Sequence, residues 1–102
     1  MINLDKQLLE LNGKESKDAH MGQILANDLI IKTPGIEPAK AAAWAMTLWK
    51  KEPLDIDKTD SEKLVKYIES AENLINLAKA QLIETIKNDM IKTEEKKKKK
   101  DK

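Results

Sequence analysis

The sequence predicts a mainly α fold: a small bundle of about four helices, a short N-terminal β-hairpin or arm, and a disordered Lys-rich C-terminal tail. Three observations carry this. Leu64, Ile68, Ala71, Ile75, Ala78, Leu82 and Ile86 recur at three- and four-residue spacing, which aligns them on one helix face. Leu74, Leu77, Ile83 and Met90 widen that stripe until it needs cover from the rest of the chain. Pro34-Gly35 and Pro53 cut the preceding region into two further helix-length segments. Residues 94–102 hold no apolar side chain and cannot join a core.

The 102 residues suit one domain, over residues 1–93, with 94–102 as its tail. Aromatics are few (two Trp, one Tyr, no Phe), so the core rests on Leu, Ile and Ala. With no Cys there is no disulfide framework and no thiolate chemistry. No basic-then-apolar leader stands at the start, and no apolar run approaches the roughly 18 residues of a membrane span. The expected setting is therefore cytoplasmic, or inside a particle, with no membrane contact. The net charge of +1 conceals an asymmetry: six Lys and three acids put +3 on residues 94–102 and leave −2 on the body. Every cation is Lys, so the bidentate Arg fork that reads guanine is missing.

In chain order, the loose alternation of Ile2, Leu4, Leu8, Leu9 and Leu11 leads to Asn12-Gly13. Asn-Gly accepts the positive φ angles of a type I′ turn, so a strand near 6–11 and a return stub at 14–16 are expected. Ser16 then caps a helix over 17–32, buried through Met21, Ile24, Leu25 and Leu29 and extended by Ile31. Within it Gly22 weakens the helix or permits a close approach. Pro38 suits the first position of a second helix, running to about Lys51 with an apolar face of Trp44, Ala45, Leu48 and Trp49. Residues 53–57 form an extended connector with Leu54 and Ile56 inward. Thr59 and Glu62 have capping-box spacing, which starts a third helix near 60. An unbroken helix from 60 to 91 would reach about 48 Å, too long for a domain with a radius of gyration near 13 Å. The polar stretch Ser70-Ala71-Glu72-Asn73 is the expected break, giving helices over about 60–70 and 73–92 rather than one that needs a partner chain.

Chemistry-bearing patterns are scarce. Asp55, Asp57, Thr59 and Ser61 alternate like the start of a calcium loop. Asp60 stands where that loop needs Gly, however, and Lys66 where it needs a bidentate Glu. His20 is the only His and has no second His or Cys to complete a zinc site. No nucleophile is paired with a base, so neither catalysis nor a cofactor or metal is expected. Trp44 and Trp49 lie about 140° apart around their helix, so both cannot face one core. Trp is enriched at binding hot spots, which makes this pair the candidate partner contact, Trp49 the more exposed. Lys96, Lys97, Lys98, Lys99 and Lys100 are a candidate electrostatic tether for nucleic acid, salt-sensitive and non-specific.

The order of several segments resembles that of small tailed-phage and prophage proteins of about a hundred residues. They are Leu11-Asn12-Gly13-Lys14, Gly22-Gln23-Ile24-Leu25-Ala26-Asn27, Trp44-Ala45-Met46-Thr47-Leu48-Trp49, Glu52-Pro53-Leu54-Asp55-Ile56 and Leu77-Ala78-Lys79-Ala80-Gln81-Leu82. The resemblance spans about residues 4–86 and transfers no site residues. It implies a phage context, a break between the third and fourth helices, and a phage or host protein as partner. The leading expectation is a non-catalytic protein-interaction protein, as assembly accessory or modulator of a host factor, with homo-oligomerisation open. The alternative is a nucleic-acid-associated accessory tethered by the Lys run.

Overall fold

The computed structural model describes residues 1–31 and 33–100, with side chains placed through Ile91 except at 32. Among these the order is β1 (Gln7–Leu9), β2 (Glu15–His20), α1 (Met21–Leu29), α2 (Pro38–Trp49), α3 (Lys58–Ser70) and α4 (Asn76–Lys100). Four helices and an antiparallel N-terminal hairpin match the expected fold class. The expected disordered tail at 94–102 falls where side chains lie outside the described residues.

The N-terminal arm organises the first half of the chain. Ile2 exchanges both backbone hydrogen bonds with Leu54, at 2.9 and 2.7 Å, so the arm and the 50–57 connector form a one-residue ladder. Ile2, Leu4 and Leu54 are buried there. The carbonyls of Lys6 and Leu4 then accept the N–H groups of Met21 and Gly22, at 2.9 and 3.0 Å. Gln23 N–H donates to His20 Nδ1 at 3.3 Å. The first amides of α1, which no helix can satisfy internally, are thus taken by the arm and one side chain.

This corrects the helix expected over 17–32. Ser16 is not its cap; Ser16 to Ala19 lie in β2, and His20 is the N-cap. The strand prevails because its backbone pairs with β1 while the Gln7 amide donates to the Ser16 and Lys17 carbonyls at 2.7 and 3.3 Å. The turn also differs from type I′. Gly13 takes φ +84° whereas Asn12 is not among the positive-φ residues. Gly13 N–H donates to Glu10 O, and Glu10 N–H to Lys14 O. A three-residue loop closed by a left-handed Gly, the next commonest hairpin connection, accounts for that pattern.

The α2 helix begins at Pro38, as expected, and ends in a Schellman motif. Lys51 N–H donates to Leu48 O and Glu52 N–H to Thr47 O, with Lys51 at φ +64°. Glycine is the usual residue at that left-handed position, because a Cβ is strained there. Replacing the exposed Lys51 with Gly should therefore stabilise the fold by about 0.5–1 kcal/mol. Thermal unfolding followed by circular dichroism should show the midpoint rise by roughly 3–6 °C.

The cap of α3 lies two residues before the expected capping box. Asp57 Oδ1 accepts Asp60 N–H at 2.8 Å, and its carbonyl takes both the N–H and the hydroxyl of buried Ser61. The helix break is real and falls at residues 71–75, so α4 starts at Asn76 rather than 73. Ser70 Oγ donates to the carbonyls of Lys66 and Tyr67, closing α3, while Leu74 plugs the core beneath the loop. The break turns Ile75 out to solvent, off the face its spacing predicts. Leu82 and Ile86 reach the centre with Leu4, Leu25, Leu48, Leu64 and Ile68. Gln81 does a second job: its amide accepts Leu9 N–H and donates to Leu9 O, both at 2.8 Å. One side chain thereby occupies the open edge of β1, the edge that would otherwise invite another strand.

Candidate interaction surface

Within α2 the chain spends apolar residues on both sides. Ala41, Trp44, Ala45 and Leu48 point into the core and are buried. Ala39, Ala42, Met46 and Trp49 are exposed, and their three-four-three spacing confines them to an arc of about 80° at 100° per residue. Only Lys40, Thr47 and the small Ala43 separate the two faces on one side. A helix apolar on nearly all sides is ordinarily buried on all sides; this one is buried on half.

The turn at the end of α1 extends the exposed face. Ile30, the C-cap of α1, is 67% exposed, Met46 62% and Trp49 53%. With Ala26, Asn27, Ala45 and Lys50 these side chains line an open groove of about 400 Å³. On the other side of Ile30 a second depression of about 430 Å³ is lined by Ile31, Pro34, Pro38 and Ala42 among others, so the apolar surface is continuous across Ile30. The exposed parts of Ile30, Ile31, Met46 and Trp49 with the alanines make roughly 500 Å², within the roughly 300–600 Å² of the largest patch on a typical monomer, a patch that is often functional.

The two Trp expected as partner contacts separate cleanly. Trp44 is 7% exposed and belongs to the core, so it offers no surface anchor. Trp49 does. Aromatic residue type alone points to neither Met46 nor Ile30, although the Ala39-Ala42-Met46-Trp49 spacing is present in the chain. Ile31, expected to extend the buried face of α1, is exposed instead because that helix ends at Leu29.

Other polar features are structural. His20 is buried, with Nδ1 accepting the Gln23 amide and Nε2 2.8 Å from Asp5 Oδ1. That network assigns the ring proton to Nε2 and makes His20 the pin between arm and α1. Tyr67 on α3 donates its hydroxyl to the Asp28 carboxylate on α1 and lies 3.3 Å from the Asp28 carbonyl, both residues being buried. Burial, then this hydrogen bond and the carboxylate's charge, push the Tyr67 hydroxyl well above the ordinary tyrosine range. The pair borders an open cavity of about 350 Å³ with Ser70 and Glu72 on its wall.

Among the described residues no group of three or more His, Cys, Asp or Glu could hold a metal ion. The alternating Asp55, Asp57, Thr59 and Ser61 divide into connector and cap. Among the same residues no helix is long and apolar enough to cross a membrane. Lys96 to Lys100 belong to the end of α4, with side chains outside the described set. No family model, curated protein or solved structure matches the chain.

Proposed function

We propose that this chain is a non-catalytic protein-interaction protein of tailed-phage type, a particle-assembly accessory or a modulator of a host factor. It works in the host cytoplasm or within a phage particle. The observation that carries the interaction reading is the exposed apolar face of α2, completed by Ile30 and centred on Trp49 and Met46. Trp at the centre of an apolar patch is the arrangement that concentrates binding energy. The phage context rests on the resemblance over residues 4–86.

Affinity capture from native-cell lysate tests this, with wild type and Trp49→Glu compared at low and high salt and with and without nuclease. The expected result is a protein retained by wild type at high salt and after nuclease, and lost from Trp49→Glu. Retention that salt or nuclease abolishes, and that deleting 94–102 removes, would instead assign the work to the Lys96–Lys100 run, because counterion release makes phosphate binding salt-sensitive.

A further inference from the structure

We infer that the exposed face of α2 is self-complementary and that its occupant is α2 of a second copy, packed antiparallel about a two-fold axis. This rests on the reading that the face is an interface and names what covers it.

Size complementarity comes first. Along the exposed seam the residues run small, small, large, large: Ala39, Ala42, Met46, Trp49. Three-four-three spacing is the seam along which two helices interlock. A two-fold axis near residue 44 sets Ala42 opposite the second copy's Met46, and Ala39 opposite its Trp49. Every large side chain then meets a small one. A parallel pair would instead stack Trp49 on Trp49 and leave Ala39 facing Ala39 across a gap.

Charge points the same way. The exposed Glu37 stands at the N-terminal end of α2, and the exposed Lys50, Lys51 and Glu52, together net positive, at its C-terminal end. Antiparallel packing brings the Glu37 end of each copy to the Lys50-Lys51 end of the other, at both rims of the contact. Parallel packing would set lysines beside lysines. An isologous contact of this kind closes after two copies and leaves no open filament.

The area suits a small interface. Without Ile31, which lies beyond the seam, roughly 400 Å² of apolar surface from each copy, with a polar rim, approaches the roughly 1,200 Å² total at the lower end of specific interfaces. Ile30 flanks the seam and closes it on the α1 side.

Sedimentation velocity across a concentration series, paired with disulfide trapping, tests the inference. Wild type should shift from a species of 11.6 kDa to one of twice that mass as concentration rises. Trp49→Glu should weaken that association by at least about 30-fold while its circular dichroism stays that of wild type, Trp49 being outside the core. The chain has no Cys, so single cysteines report register without background. A mixture of Ala42→Cys and Met46→Cys chains should form the mixed disulfide in preference to either like pair. A wild type that stays monomeric to about 1 mM, a dimer indifferent to Trp49→Glu, or preferential Ala42→Cys self-pairing would each overturn the inference. If the chain is monomeric yet Trp49→Glu loses a captured protein, the face is an interface for another partner and only the second copy is excluded. If capture is also indifferent to Trp49→Glu, the interface reading itself fails.

Discussion

Replacing Gly22 with Val should cost about 3 kcal/mol and lower the thermal midpoint by roughly 15 °C or more, a large part of the stability of a domain this size. A Cβ at residue 22 would sit 3.2 Å from Leu4 O, Leu48 O and His20 Cε1. None of these can yield cheaply. Leu4 O already accepts the Gly22 amide at 3.0 Å, and Leu48 O holds the Schellman turn through Lys51. The His20 ring is pinned from both sides. Gly22 is thus where the arm, α1 and the end of α2 come closest. Gly22→Ala is the informative companion. In an ordinary helix interior it would stabilise by about 1 kcal/mol, but here it should destabilise by about that amount. Urea unfolding of the three proteins checks both. Equal or greater stability in Gly22→Ala would show that the close approach gives way freely.

Tyr67→Phe should cost about 2–3 kcal/mol, the range for removing a hydrogen bond to a charged group and leaving that group buried. The hydroxyl is the bridge from α3 to the Asp28 carboxylate of α1. Asp28→Leu together with Tyr67→Phe should lose less than the two single changes added, because apolar replacement of both members removes the stranded polar group. The pair also predicts a pH response. Its Tyr67 pKa lies above that of an unfolded tyrosine, so its contribution is complete below about pH 10 and is lost as pH climbs beyond it. Wild type should therefore lose stability above about pH 10 more steeply than Tyr67→Phe, a difference that isolates this hydroxyl. Parallel alkaline profiles would contradict the assignment.

α2, α3 and α4 were legible in periodicity and punctuation: Pro38 opens α2, a break after Ser70 separates α3 from α4, and the Leu64–Ile86 stripe, Ile75 apart, supplies much of the core. What periodicity could not show was the work of the arm. Ser16-Lys17-Asp18-Ala19 reads as a helix start until the carbonyls of Leu4 and Lys6, and the Gln7 amide, claim the neighbouring backbone. Such pairings join residues distant in sequence and leave no local pattern. The same holds for Gln81 on the edge of β1 and for Tyr67 with Asp28, ordinary residues whose roles come only from what they meet. The exposed apolar face was half visible. Trp49 stood out by type, but recognising the seam required knowing that Trp44 and Ala45 face inward, which leaves Ala39, Ala42 and Met46 on the other side with it.

The chain carries one buried and one exposed indole, at Trp44 and Trp49, and no other Trp. The most direct test of the exposed face is therefore to follow both indole N–H signals by NMR over a dilution series from about 1 mM to about 10 μM. If α2 offers its outer face to a second copy, the Trp49 signal shifts with concentration and the Trp44 signal stays in place. If both signals hold still across the series, the face is not covered by self-association; if Trp44 moves and Trp49 does not, the contact lies elsewhere on the molecule.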